Sequence, residues 1–268
     1  MTHLRASEIV GIAYLLYLSL VALAIRLPSA RRFRVWSAAA LVVIVDLAIG
    51  TRAPDWVGRQ VRDWLPGLVI LIAYFATGAF YVAPSPKVEA WLKGWDDALI
   101  GRATFASLPA AVRVYLDLVY DSCFVVIPAG FVALIWSGAA ASADRFWTLV
   151  SAAEYVAFGT LPWLQARPPW AIEGRRALDG TRIRRFSLAW IQRTTIRANT
   201  FPSGHASGSL AVALALLPAA PRAALVFGVL AVSIALASVV GRFHYAIDAI
   251  TGLLLAILIW CSMIVLGL

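Results

Sequence analysis

Apolar residues run in long blocks along this chain, broken at intervals by arginine, proline and short polar stretches. Blocks of this kind, without strict alternation, predict helices that cross a bilayer rather than the strands of a membrane barrel. In order they are Ile9 to Ile25, Val35 to Ile49, Leu68 to Val82, Val114 to Trp136, Phe146 to Leu164, Ala206 to Leu217, Ala223 to Val240 and Tyr245 to Leu268. The pattern predicts an all-α fold, a polytopic membrane helical bundle of about eight transmembrane helices. The first block is longer than a signal-peptide core and lacks a cleavage site, so it reads as a retained span. Ala206 to Leu217 is short and needs its flanks to reach across.

The polar breaks refine this picture. Residues 51 to 65 mix Arg52, Asp55, Arg59, Arg62 and Asp63 with Trp56 and Trp64, as expected of a connector at the membrane–water interface. After Pro84 and Pro86, the residues Val88, Trp91, Trp95 and Leu99 keep helical spacing beside Lys93, Asp96 and Asp97. An amphipathic helix from Lys87 to Leu108, lying in the interface with its charges solvated, accounts for that spacing. Within the apolar blocks, Asp46 must face the bundle interior or find a partner. Asp117 and Asp121 stand one helical turn apart and share a face. They could serve acid–base chemistry, pair with loop arginines or cap a polar cavity near the membrane surface. Glu154 reads as structural.

The polar stretch from Gln165 to Pro202 holds eight arginines, at 167, 175, 176, 182, 184, 185, 193 and 197. A block this basic attracts anionic head groups whatever else it does, and its segment Phe186 to Ile191 is apolar enough to dip into the interface.

Composition agrees. Of 268 residues, 62% are hydrophobic and 14% charged, too apolar for a soluble globular domain. The formal net charge of +9 rests almost wholly on arginine, with Lys87 and Lys93 the only lysines. Arginine suits bidentate phosphate binding. Cys123 and Cys261 lie in separate blocks, offer neither a disulfide framework nor metal-ligand spacing, and read as buried side chains.

Candidate chemistry gathers at Asn199 to Gly208, read Asn-Thr-Phe-Pro-Ser-Gly-His-Ala-Ser-Gly, where the basic stretch turns into an apolar block. Ser203 is a good N-cap for the helix that follows Pro202, which places His205 in a helix's first turn. Free N–H groups, a hydroxyl and a glycine there can receive phosphate oxygens, although a capped helix that happens to carry a histidine explains these ten residues as well. The chain has three histidines, and His3 is near the N-terminus. His205 and His244 begin blocks 39 positions apart with two crossings between them, so they share a membrane face. Asp248 follows His244 by one helical turn, where its carboxylate can hold one ring nitrogen and leave the other free. Arg167 and Arg242 fall near the same face.

Arg167-Pro168, Pro202-Ser203-Gly204-His205 and His244-Tyr245-Ala246-Ile247-Asp248 together resemble, in order and spacing, the three motifs of the phosphatidic acid phosphatase type 2 superfamily. That superfamily covers lipid phosphate phosphatases, inositolphosphotransferases of sphingolipid synthesis and, more distantly, vanadium haloperoxidases. The resemblance spans roughly residues 66 to 268, which it implies to be a six-helix catalytic core, with two accessory N-terminal transmembrane helices and a connector over residues 1–65. Two positions depart from it: Thr160 stands where the first motif usually has lysine, and Ser238 where the third usually has arginine. Both departures look more like the inositolphosphotransferase-related branch, in which His-Tyr-x-x-Asp is common.

The resemblance implies that His244 attacks phosphorus to form a phosphohistidine, that Asp248 holds its tautomer and that His205 protonates the leaving oxygen. It implies Arg167, Ser203 and Gly204 as phosphate ligands, with Arg242 standing in for the missing arginine. No metal or cofactor is implied, because arginines supply the positive charge. The expected partners are a lipid phosphate substrate and the surrounding membrane lipids, not a nucleic acid, and the sequence is silent on oligomeric state. Water as acceptor gives a phosphatase, the first expectation; a lipid or polyol hydroxyl gives a phosphotransferase, the second; a catalytically inactive lipid-binding protein is the third. The expected location is a bacterial inner membrane with the site on the extracytoplasmic side, as family members have it. The arginine-rich loops on that face argue the other way by the positive-inside rule.

Overall fold

A computed structural model describes residues 4–52, 56–100, 108–174 and 182–268. His3, Asp55, Arg175, Arg176 and residues 101–107 of the expected interfacial helix lie outside the described residues. The chain is all-helical: α1 (Ala6–Ala24), α2 (Ser29–Arg52), α3 (Trp56–Gly78), α4 (Pro86–Leu99), α5 (Ala110–Asp121), α6 (Val126–Trp136), α7 (Ala143–Gly159), α8 (Pro169–Glu173), α9 (Arg182–Thr194), α10 (Gly204–Leu216), α11 (Pro221–Val240) and α12 (Ala246–Leu266). Among the described residues, α1, α3, α11 and α12 are long and apolar enough to cross a membrane, and α5 with α6 makes a fifth candidate span bent by 69°. This is a multi-pass membrane protein. The bend has a local cause: Pro128 has no N–H to donate, and its ring crowds the carbonyl of Phe124 four residues earlier, so the helix breaks between Phe124 and Val126.

Helix α10 is the hub, packed by α6, α7, α11 and α12. Glycine permits the closest approaches. A Cβ on Gly130 of α6 would fall 2.2 Å from Val212 Cγ1 of α10, and one on Gly208 would fall 1.9 Å from Glu154 Oε1 of α7. Helix α1 joins the same core, where Tyr14 stacks on Tyr155 of α7 at 4.6 Å and its hydroxyl shares a 2.7 Å hydrogen bond with Thr77 of α3. Asp46 is buried inside the bundle, as an acid at that depth requires.

Polar groups collect in two layers. At one end Arg5 pairs with Asp63, Arg62 pairs with Glu8, and Asp144 receives the Ser7 hydroxyl at 2.6 Å. At the other end Arg31 caps the carbonyl of Tyr81 at 2.7 Å, and the arginines near the histidines meet carboxylates. Sequence reading is corrected at three places. The stretch Gln165–Pro202 is not all loop, since it contains α8 and the amphipathic α9, which buries Leu188 and Ile191 and exposes Phe186 and Trp190. Cys123 is buried in the α5–α6 break, but Cys261 faces outward from α12. Helix α4 is amphipathic as expected, yet only some of its charges are solvated: Asp96 is 3% exposed, because its carboxylate has two partners on the inner side.

Candidate active site

Backbone hydrogen bonds tie the three polar motifs to one another. The N–H of Asn199 donates to the carbonyl of Ala166 at 2.8 Å, joining the second motif to the first. The N–H of Ser203 donates to the carbonyl of Asp248 at 2.9 Å, joining the second to the third. The N–H of Trp170 donates to the carbonyl of Arg242 at 2.9 Å, joining the first to the third. Gly252 lets α12 lie against this loop, since a Cβ there would sit 2.6 Å from the Ser203 carbonyl oxygen.

Ser203 is the N-cap of α10: its hydroxyl accepts from the Ala206 N–H at 3.3 Å, and His205 sits in the first turn. His244 lies just before α12. Asp248 is the third residue of that helix, and its Oδ2 accepts the Tyr245 N–H at 3.0 Å while facing His244 Nδ1 at 3.4 Å. One carboxylate therefore caps the helix and orients the imidazole, leaving Nε2 of His244 for chemistry. The expected pairing is present, made by a helix cap rather than by two side chains on one helical face. Asp248 Oδ1 and the Asn199 carboxamide are both buried, and the Asn199 amide faces the Asp248 carboxylate as a donor.

The two imidazoles stand edge to face with centroids 5.7 Å apart. His205 is further framed by Tyr120 at 5.6 Å and Phe124 at 5.7 Å, rings that the α5–α6 bend turns inward. Both histidines line a cavity of about 160 Å³ whose apolar wall includes Leu71 and Phe75 of α3 and Ile127 of α6. Leu71 and Phe75 are more than half exposed, so this wall borders the lipid-facing surface. Tyr74, Cys123, Thr194, Thr200 and Glu154 provide the rest of its polar lining.

The expected cations lie apart from that cavity. Arg167 makes a bidentate pair with Glu89 of α4, both contacts at 2.9 Å, and its N–H donates to the same carboxylate at 3.0 Å. The hydrogen bonds from Arg167 hold the Glu89 carboxyl below its ordinary value of 4.5. Arg242 has a φ of +63°, and its guanidinium reaches Asp96 at 2.6 Å and Glu173 at 2.7 Å. The other oxygen of Asp96 accepts the Ala246 N–H at 2.7 Å, so α4 also caps α12. Helix α4 thus presents Glu89, Leu92 and Asp96 on one face, a carboxylate to each expected phosphate ligand on either side of a fully buried leucine. Arg184 of α9 is buried against Asp117, the Gly241 carbonyl and the face of Phe243, and burial pushes its guanidinium below its ordinary value. Asp121 receives the Ser187 hydroxyl at 2.6 Å. Where the family pattern has cations, Thr160 donates its hydroxyl to the Phe201 carbonyl, and Ser238 offers its own carbonyl to the N–H of His244 at 2.9 Å.

So His205, His244, Asp248, Ser203 and Gly204 come together, while Arg167 and Arg242 stand beside them, each held by carboxylate. Sequence reading passed over Glu89, took Asp96 for a solvated charge and took Glu154 as structural. The signal for the first two was the three- and four-residue spacing of Glu89, Leu92 and Asp96, which marks one face; Glu154 gave none. Among the described residues no group of His, Cys, Asp or Glu side chains is arranged to hold a metal ion.

A family model described as the PAP2 superfamily matches residues 86–262, from the start of α4 through most of α12. No curated protein and no solved structure matches the chain.

Proposed function

The chain belongs to the PAP2 superfamily and with its apolar helices is a membrane phosphatase-type enzyme, from which we propose a metal-independent lipid phosphate phosphatase that works through a phosphohistidine. Its substrate is a phospholipid or a prenyl phosphate. The observation that carries this reading is the pair His205 and His244 in one cavity, with Asp248 on Nδ1 of His244. His244 Nε2 attacks phosphorus, Asp248 fixes the tautomer and stabilises the imidazolium, and His205 gives a proton to the leaving oxygen. Ser203 and the Gly204 N–H, at the start of α10, receive phosphoryl oxygens. Arg167 and Arg242 exchange their carboxylate partners for the phosphate, whose oxygens offer the same bidentate geometry.

The same reading includes eight spans, with α5–α6 counted as one and α2, α7 and α10 completing the set. The first 65 residues are an accessory pair added to a six-helix core over 66–268, of which the family match covers all but α3 and the end of α12. The protein sits in a bacterial inner membrane with its site extracytoplasmic. Use of Arg167 and Arg242 for phosphate supports that side, because arginines that serve the substrate carry less weight in the positive-inside rule.

Purified protein is expected to release phosphate from phosphatidic acid or a polyprenyl phosphate in metal-free buffer, and His244→Ala to cut the rate about a thousandfold or more. Full activity in that variant would remove His244 as nucleophile. A head-group phosphotransferase is the second reading, favoured by Thr160 and Ser238 standing in the family's cation positions; it wins if no phosphate is released but a head group moves between lipids. Binding without turnover would favour a catalytically inactive lipid-binding protein.

A further inference from the structure

Glu154 has no part in the mechanism above, yet it lines the cavity that holds both histidines. It is 5% exposed, and among the described residues no hydrogen bond or ion pair reaches its carboxyl group. A polar group so placed is costly unless something satisfies it. Its position is also built. Its oxygens lie against α10 at Gly204 and Gly208, the residues on either side of the His205 turn, where Cβ atoms would come within 2.9 Å and 1.9 Å of them. Nearby, Thr200 accepts the Gly204 N–H at 3.4 Å and keeps its own O–H free to donate.

To act as a base Glu154 is ionised, and its partner then brings the hydrogen-bond donor. A phosphoryl group brings acceptor oxygens and like charge, so it belongs at the imidazole and N–H end of the cavity. A neutral hydroxyl brings the O–H that a carboxylate accepts. We propose that Glu154 is a catalytic residue of the second half-reaction, binding the hydroxyl of the acceptor that takes the phosphoryl group from His244. The inference rests on the phosphohistidine reading. As the acceptor oxygen bonds to phosphorus, the His244 Nε2–P bond breaks and its electron pair returns to the ring. The acceptor's proton goes to Glu154, and its passage to His205 in the same cavity restores both groups for the next turnover. Water and a small polyol share this chemistry.

The test separates formation of phosphohistidine from its breakdown. Wild type and Glu154→Gln are mixed with phosphatidic acid labelled with ³²P in the phosphate, and acid-labile label on the protein is followed beside released product. Glu154→Gln is expected to take up label at the wild-type rate and to lose it about a hundredfold more slowly, so that label accumulates. Glycerol or inositol added to the wild type distinguishes the acceptors: a labelled phosphopolyol identifies a polyol, and phosphate alone identifies water. Should Glu154→Gln not fold, Glu154→Asp, one methylene shorter, is expected to give the same split to a smaller degree. Breakdown at the wild-type rate, or formation and breakdown slowed equally as a structural role would have it, overturns the proposal. Absence of label in the wild type fails the phosphohistidine reading itself, a separate result.

Discussion

The space around the histidines and the arginine belt beside it satisfy their polar groups in opposite ways. Around the histidines, no hydrogen bond or ion pair among the described residues reaches the Glu154 carboxyl group. In the belt, Arg167, Arg184 and Arg242 each meet a carboxylate, although Asp117 Oδ2 and Asp121 Oδ1 are themselves buried without a hydrogen bond. An unpaired buried polar group costs about 1–3 kcal/mol, and one that lines a cavity, as Glu154 does, has room for a ligand to satisfy it. The belt's cations are already engaged, and a phosphate that uses them has to displace what holds them.

The comparison breaks most severely at Arg184. Its side chain is 2% exposed and that of Asp117 is fully buried, so Arg184→Ala leaves an uncompensated carboxylate and takes away the cation over Phe243. A loss of about 3–5 kcal/mol is expected, read from thermal unfolding in detergent. A loss below about 1 kcal/mol would mean that the belt is held by packing rather than by charge pairing.

Arg167 and Glu89 test the exchange step. Arg167 is 43% exposed, so its pair with Glu89 is worth at most about 1 kcal/mol, and Glu89→Gln is expected to lower KM for a lipid phosphate by up to about fivefold at unchanged kcat. An increase in KM would show Glu89 to be positioning Arg167 for phosphate, not competing for it. The pH dependence follows from the depressed carboxyl. The pair's contribution is complete above the ordinary value of 4.5 and is lost as pH falls through the lower folded value, so wild type loses this increment in acid while Glu89→Gln does not.

The family, the helical class and the meeting of His205 with His244 were legible because they rest on long apolar blocks and on fixed spacings. The cap at Ser203 was legible for the same reason, since a local signal predicts a local structure. What escaped depends on tertiary contact. Glu154 looks like any acid in an apolar block until Gly204 and Gly208 bring α10 onto it. Arg242 stands two residues before His244, which suggested a phosphate ligand, but its left-handed backbone goes with a side chain turned to Asp96 and Glu173. The 69° break needed Pro128 to be weighed against an uninterrupted apolar run.

The smallest effect is expected on the outer face of α4, where the division between inner and outer charges can be sharpened within one helix. Lys93 and Asp97 form an i,i+4 pair at 2.7 Å with both side chains about two-thirds exposed (67% and 63%), whereas Asp96, next to Asp97 in sequence, is buried on Arg242 and Ala246. Solvent screens the first pair, and its geometry costs two long side chains their freedom, so Lys93→Ala should change stability by no more than about 0.5 kcal/mol and leave activity unaltered. High salt should erase even that difference. A loss above about 1 kcal/mol in thermal unfolding would show the outer face of α4 to be engaged as well, and the distinction between a solvated face and a site-facing one would then fail on the helix where it is drawn most closely.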